Sequence, residues 1–321
     1  PGTKPTVPGH EIFCTIIAVG EQVRHHTVGQ QVLVQTDYRW LKTADSNGAV
    51  GYNFEGALQQ YLLLDERIFV NPDSQESFLI VAEKEIGGAA AALVEPWACV
   101  ESSYINEERQ TILPGGNLLL VADNGTAVRG VRQALPGPDA ACSITALCAE
   151  TAQSQAVKQW GLPYSTAKSL EALPDASFDD IIYFGNNRQT IETLNDKLAA
   201  RGIINIVLGG RQIGEPVSIG VGRVHYGVTR WIGTTGTEAS ESYRHIPKTG
   251  EIRDGDQAVV IGAGGPMGQM HVIRLICSGK ENLSVTATDL DDQRLSSLDA
   301  KVRPLLTSRP VQYRSVNTQI S

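Results

Sequence analysis

Val259-Val260-Ile261-Gly262-Ala263-Gly264-Gly265-Pro266-Met267-Gly268 reads as an apolar strand, a tight glycine turn and the start of a helix. Glycines let the backbone turn sharply and come close to a pyrophosphate, which then rests on the positive N-terminus of the helix. Counted from Ala263 the turn has A-x-G-x-x-G spacing. Counted from Gly262 it carries one residue more than G-x-G-x-x-G. The pattern predicts a strand over Gln257–Ile261, a helix over Met267–Cys277 and a strand over Ser284–Thr288 that ends at Asp289. An acidic residue about 20 positions beyond the turn is placed to bond the ribose hydroxyls of NAD and to repel the extra phosphate of NADP. The plainer reading is a glycine-rich turn that only packs. The strand, the helix and the acidic residue together favour dinucleotide binding.

Upstream, strands and helices alternate from Asn117 to Leu208. Strands are expected at Asn117–Ala122, Ser143–Ala149, Asp180–Phe184 and Ile203–Leu208, with helices at Thr126–Ala134, Ala152–Trp160 and Gln189–Ala200. Such alternation builds a parallel sheet covered by helices, with ligands at the carboxyl ends of the strands. Laying Val259–Gly268 over Leu119–Val128 aligns two strand-turn-helix units, with Gly265 over Gly125. The chain therefore reads as carrying two nucleotide-binding folds, unless two ordinary βα units have converged. In the first, Asp123 would set a negative charge beside a phosphate and Val128 would crowd the helix, so that fold is expected to be structural. Ile219–Gly236 reads as a strand pair, and the tail from Leu305 is weakly patterned.

The chain has 321 residues, 41% hydrophobic and 19% charged, which suits two or three globular domains and excludes disorder. The net charge of −8 opposes a nucleic-acid partner, which needs a basic face. No apolar run reaches the roughly 20 residues of a membrane span. Five scattered cysteines without a C-x-x-C pair argue against a disulfide framework and for a reducing, cytoplasmic compartment. The chain opens on Pro1, so an N-terminal part is expected to be missing.

The first hundred residues read as β-rich, with strands at Phe13–Val19, Gln31–Val34 and Leu58–Leu64, a polar loop over Asp37–Asn53 and an Ala-rich helix over Ile86–Val100 broken at Glu95-Pro96. Four landmarks occur in order: Pro8-Gly9-His10-Glu11 with Val28-Gly29-Gln30-Gln31-Val32, then Phe54-Glu55-Gly56-Ala57 with Tyr61, then Leu93-Val94-Glu95-Pro96, then the glycine turn. In this the chain resembles the medium-chain dehydrogenase/reductase superfamily, of the zinc alcohol dehydrogenase type. Pro266-Met267-Gly268-Gln269-Met270 adds a fainter likeness to sorbose-1-phosphate reductase-like members.

The resemblance implies an α/β protein with a GroES-like β-rich catalytic domain over 1–111 and Rossmann-type doubly wound parallel sheets, here in two copies. The first is a degenerate copy with its return segment at 112–248; the second is an incomplete copy at 249–321. It implies an NAD-dependent oxidoreductase acting on a small-molecule alcohol, a polyol or sugar phosphate, and a homo-oligomer. It also implies a catalytic zinc that would act as Lewis acid on the substrate oxygen, with His10, Glu11 and Glu95 as ligands or nearby carboxylates. Gly262, Gly264, Gly265, Pro266, Met267, Gly268 and Asp289 would hold the cofactor. Two departures stand against simple transfer. The family's first zinc ligand is a Cys upstream of Gly-His-Glu, and none precedes His10; residues 35–60 lack the four Cys of a structural zinc, so none is expected. Trp97 is a candidate pocket residue, and Arg211 and Arg230 are candidate phosphate contacts. Two other readings compete: a non-catalytic NAD-sensing or assembly protein derived from a dehydrogenase, and a zinc-independent NADPH reductase of the quinone oxidoreductase kind, which Asp289 opposes.

Overall fold

A computed structural model describes residues 6–42, 47–82 and 86–319. The chain divides into two compact units, one of residues 1–105 with 251–321 and one of residues 106–250. Residues 1–105, from the first expected domain, and 251–321, from the third, are grouped together.

The N-terminal part of the first unit is β-rich. Strands β1 (Phe13–Thr15), β2 (Gln31–Val34) and β5 (Leu79–Val81) form an antiparallel sheet in the order β1-β2-β5. Strands β3 (Asp37–Lys42) and β4 (Asn47–Ala49) pair antiparallel where a loop was expected, and a short helix α1 spans Glu66–Phe69. Ile12, Val32, Val34, Tyr38, Val50, Phe69 and Leu79 close the core under these strands. The expected strand at Leu58–Leu64 is not formed; Leu58, Tyr61 and Leu63 face solvent, and Leu62 and Leu64 pack against the core. Periodicity supplied a strand pattern, but no backbone ladder meets it. The Ala-rich segment forms α2 (Gly88–Ala92) and α3 (Val94–Ile105), and the break falls at Leu93. Pro96 sits in the first turn of α3, where a missing N–H costs nothing.

The second unit carries six parallel strands: β6 (Asn117–Ala122), β7 (Ser143–Cys148), β8 (Tyr164–Thr166), β9 (Phe178–Phe184), β10 (Leu198–Val207) and β11 (Arg230–Thr234), in the order β11-β10-β9-β6-β7-β8. Helices α4 (Thr151–Lys158), α5 (Arg188–Lys197), α6 (Val221–Tyr226) and α7 (Ala239–Arg244) accompany it. Read from β8, the order is the doubly wound 3-2-1-4-5-6 arrangement, whose direction reverses between β6 and β9. Leu118, Leu120, Ile182 and Phe184 bury one face of the sheet, and Leu119, Ile181, Tyr183 and Ile204 the other. A parallel sheet covered on both faces needs such continuous apolar strands.

Two expectations are corrected here. The helix over Thr126–Ala134 is replaced by loop and a 3₁₀ turn at Arg132–Ala134. Gly125 and Gly130 take φ of 71° and 73°, and the Gln153 side chain donates to the carbonyls of Asp123 and Thr126. Those side-chain bonds take acceptors that a helix would need. Ile219–Gly236 gives helix α6 and one strand, β11, instead of a strand pair.

The rest of the first unit is a βαβαβ run: β12 (Gln257–Ile261), α8 (Pro266–Cys277), β13 (Ser284–Asp289), α9 (Asp292–Leu306) and β14 (Gln312–Asn317). Its three strands are parallel in the order β12-β13-β14. The weakly patterned tail therefore supplies a strand. Val100 and Tyr104 of α3 pack with Val272, Leu275, Val285, Leu298 and Val302 in this core.

Candidate functional site

The glycine turn sits between β12 and α8, as the sequence predicts. Gly262 has φ 71°, which favours glycine. A Cβ on Gly268 would stand 2.3 Å from the Gly262 carbonyl oxygen and 2.7 Å from the Ala263 Cα. Gly268 thus lets α8 start hard against the end of β12. Gly265 is the helix N-cap and brings no side chain to satisfy the first N–H groups, and Pro266 at the first turn has no N–H to offer. The backbone N–H groups of Met267 and Gly268 are the donors left open at this positive helix end.

Asp289 ends β13 beside the turn and is 9% exposed. Its Oδ2 accepts from Gly264 N–H at 2.9 Å, and its Oδ1 accepts from Leu290 and Asp291 N–H at 2.8 and 3.2 Å. Desolvation pushes its pKa up, but these three bonds and Arg294 outweigh it and hold the carboxyl below its usual value. The same device recurs in the second unit. Glu150 Oε1 accepts from Gly125 N–H at 2.6 Å, and both glycine–carboxylate pairs are 25 residues apart. The bond sets Gly125 against Gly264, one residue off the overlay made from sequence. The helix after the first turn is missing, so the first turn opens no N–H groups of the Met267 and Gly268 kind.

The landmarks of the N-terminal part are joined by backbone bonds. Gly56, Ala57 and Leu58 N–H donate to the carbonyls of Val7, Gly9 and Pro8, and Val7 N–H donates to Glu55 Oε2 at 2.8 Å. A Cβ on Gly56 would lie 2.5 Å from the Gly9 oxygen, so the glycines of both motifs allow this approach. His10 follows directly, its ring 5.3 Å from that of Tyr52. Glu11 and Glu95 both act on Cys99, a residue the sequence reading passed over. Cys99 Sγ donates to Glu95 Oε1 at 3.7 Å. Desolvation first, then the charge and hydrogen bond of Glu95 and the charge of Glu11, push this thiol up. Its position one helical turn after Glu95 was the only signal available.

The donor set does not fit a zinc ion as it stands: among the described residues no three of His, Cys, Asp and Glu come together to hold a metal. Nor are Glu95 and the glycine turn brought together. Tyr104 Oη meets His271 Nδ1 at 2.9 Å, while Arg274 bonds Glu101 at 3.2 Å and Glu251 at 2.6 Å. These pairs run α3 and α8 in opposite senses, which puts Glu95 at the far end from Gly265, roughly 20 Å away along the helices. Of the candidate phosphate arginines, Arg230 is paired with Glu108, and Arg211 donates to the Gly125 carbonyl at 2.9 Å. Trp97 is half-buried on α3. No helix among the described residues is long and apolar enough to cross a membrane.

Residues 2–73 match the alcohol dehydrogenase GroES-like domain family. The uncharacterized protein YggP of Escherichia coli K12 is 26% identical over 292 residues, covering 80% of this chain and 66% of its own. The L-sorbose 1-phosphate reductase of Klebsiella pneumoniae is 25% identical over 262 residues, covering 73% and 61%. The chain thus spans less than two thirds of the length of these relatives. Among solved structures, galactitol-1-phosphate dehydrogenase from Escherichia coli is 12% identical, with coverages of 96% and 84% and a TM-score of 0.28. The 2R,3R-butanediol dehydrogenase from Bacillus subtilis is 15% identical, with coverages of 98% and 82% and a TM-score of 0.29. The GroES-like domain at residues 2–73 and the similarity to the reductase support the resemblance to the medium-chain dehydrogenase/reductase superfamily.

Proposed function

We propose that the chain is part of a nicotinamide-dependent oxidoreductase acting on alcohols or polyols, with NAD as the preferred cofactor. The observation that carries the reading is the turn Gly262–Gly268, where Gly268 holds α8 against β12 and leaves the Met267 and Gly268 N–H groups open. Those groups would hold a pyrophosphate at the helix N-terminus. Asp289 ends β13 where a ribose 2′-substituent would lie, and its carboxylate, with Arg294 beside it, favours NAD over NADP by meeting the ribose hydroxyls and repelling a 2′-phosphate. When bound, the nicotinamide supplies or takes the hydride. The GroES-like domain and the kinship to a sugar-phosphate reductase support an alcohol, polyol or sugar-phosphate substrate.

Zinc assistance rests on the resemblance. His10, Glu11 and Glu95 do not come together as a ligand set among the described residues. The oligomeric expectation also rests on the resemblance. The test is a fluorescence titration with NADH and with NADPH, on the wild type and on Asp289→Asn. Saturable binding of NADH that is tighter than that of NADPH, with the preference reduced in the variant, supports the reading. Folded protein that binds neither refutes it and leaves the non-catalytic alternative.

A further inference from the structure

The second unit holds an open cleft of about 720 Å³ at the carboxyl ends of its parallel strands. It lies at the loops that follow β6, β7, β9 and β10, with Asp123, Asn186, Arg188, Arg211 and Glu215 in its wall. This is where the strand order reverses, the place at which open α/β sheets bind ligands. Topology and cavity therefore agree on a site in the unit that sequence reading treats as structural.

The lining decides what the cleft can take. At the turn after β6, Asp123 N–H donates to the Phe184 carbonyl, Gly125 N–H to Glu150 and Thr126 N–H to the Asp123 carbonyl. None of these three is left for a phosphate and no α-helix follows this turn; at the first turn of α5, which also lines the cleft, the Asn187 side chain already takes the Thr190 N–H. The Asp123 carboxylate, held by the Tyr183 hydroxyl, adds a negative charge there. Across the cleft, the Arg188 guanidinium is shared between Glu192 at 2.8 Å and Glu215 at 3.2 Å. Its charge is spent, and a second carboxylate stands in the wall. Two carboxylates and two guanidiniums balance to zero formal charge. Carboxylate and amide oxygens accept, while guanidinium and amide N–H groups donate. A hydroxyl does both, and a ligand with several hydroxyls uses such a mixed wall without bringing a charge of its own.

We propose that this cleft binds an uncharged, hydroxyl-rich small molecule of the sugar and polyol class, and not a dinucleotide. The assignment is independent of the cofactor reading of Gly262–Gly268. Polyols stabilise most folded proteins by exclusion from their surface, so a thermal shift would mislead. The assay is saturation-transfer difference NMR on the full chain, with D-sorbitol, D-mannitol, galactitol and xylitol as probes. At least one probe saturates. Asp123→Asn weakens it about tenfold or more, as for the loss of a hydrogen bond to a charged group. Glu215→Gln, at an exposed residue away from the sheet core, weakens it as well and guards against a folding defect at Asp123. NADH does not displace the probe. Absence of saturation with all four probes, indifference to both variants, or displacement by NADH overturns the proposal. NADH fluorescence titration of the same protein shows failure of the cofactor reading separately.

Discussion

Substituting Gly268 by Ala adds one methyl group, and the structure leaves no room for it. That Cβ would lie 2.3 Å from the Gly262 oxygen, 2.7 Å from the Ala263 Cα and 2.9 Å from the Gly262 carbonyl carbon. All three are backbone atoms and cannot swing aside like the end of a side chain. The start of α8 must therefore move away from the end of β12 by about an ångström, given carbon contacts near 3.5–4.0 Å. Overpacking of this kind costs roughly 1–3 kcal/mol of stability. The larger effect falls on binding, because the Met267 and Gly268 N–H groups move with the helix. Loss of two hydrogen bonds to a charged phosphate is worth about 3 kcal/mol, or about a hundredfold in affinity. NADH fluorescence titration gives the affinity, and urea unfolding gives the stability. Gly137→Ala, with nothing within 4 Å of its Cβ, is the control and is expected to change neither. A Gly268→Ala protein that unfolds like the wild type and binds NADH equally well would refute the reasoning.

Arg109 Nη1 donates to both oxygens of Asp180 at 2.8 Å, and Asp180, only 1% exposed, also accepts from Leu113 N–H and the Tyr243 hydroxyl. Arg109→Leu leaves that carboxylate unpaired and should cost about 3–5 kcal/mol at neutral pH, read by urea unfolding. Burial pushes Asp180 up to about 6 against the pull of Arg109. A raised carboxyl contributes stability that is complete below its ordinary value of 3.8 and lost as pH rises through about 6, so the Arg109→Leu penalty should be smaller at pH 5 than at pH 8. Asp289 has the opposite sign: its lowered pKa gives stability that is present above the ordinary 3.8 and lost as pH falls through the lowered value. NMR titration of the Asp289 carboxyl should place its midpoint below 3.8, and a midpoint above it would count against the three backbone bonds. Arg274→Ala removes the two carboxylate contacts and the stacking on Tyr104 at 4.2 Å, and should cost about 1–2 kcal/mol in the unit containing α3 and α8. Hydrogen exchange would show faster opening of both helices, and unchanged rates would remove the anchoring role.

The parts legible in the sequence were those set by local pattern. Continuous apolar runs such as Leu118–Val121 and Ile181–Phe184 announced buried parallel strands, and the glycines of Gly262–Gly268 announced a turn, because in both cases the residue type is dictated at its own position. Failures came where distant partners decide. Thr126–Ala134 has residues compatible with a helix, but the Gln153 side chain takes the carbonyls of Asp123 and Thr126 from 30 and 27 residues away. Leu58–Leu64 alternates like a strand and finds no ladder. The tail around Gln312–Asn317 lacks an apolar signature because its strand is half-exposed, yet β13 pairs with it throughout. Cys99 could not be singled out, since its link to Glu11 spans most of the N-terminal domain.

The two glycine–carboxylate pairs place one and the same bond in two different settings. Gly125 with Glu150 and Gly264 with Asp289 make the same N–H to carboxylate bond over the same span of sequence. The carboxylate at the end of the second strand therefore holds the turn before it meets any ligand, which explains why Asp289 is so little exposed. What differs is the next element. After Gly265, α8 begins at once and leaves two N–H groups open at its positive end; after Gly125 the chain wanders into a 3₁₀ turn. Anion binding needs the helix, whereas the crevice at the strand ends needs only the sheet. The unit with the six-stranded sheet thus has the crevice but no helix N-terminus at this turn. The sheet beside the Gly262–Gly268 turn has three strands among the described residues. Restoring a helix after Gly125 would not by itself restore phosphate binding, because Asp123 would still face the anion; Asp123→Gly would be required with it.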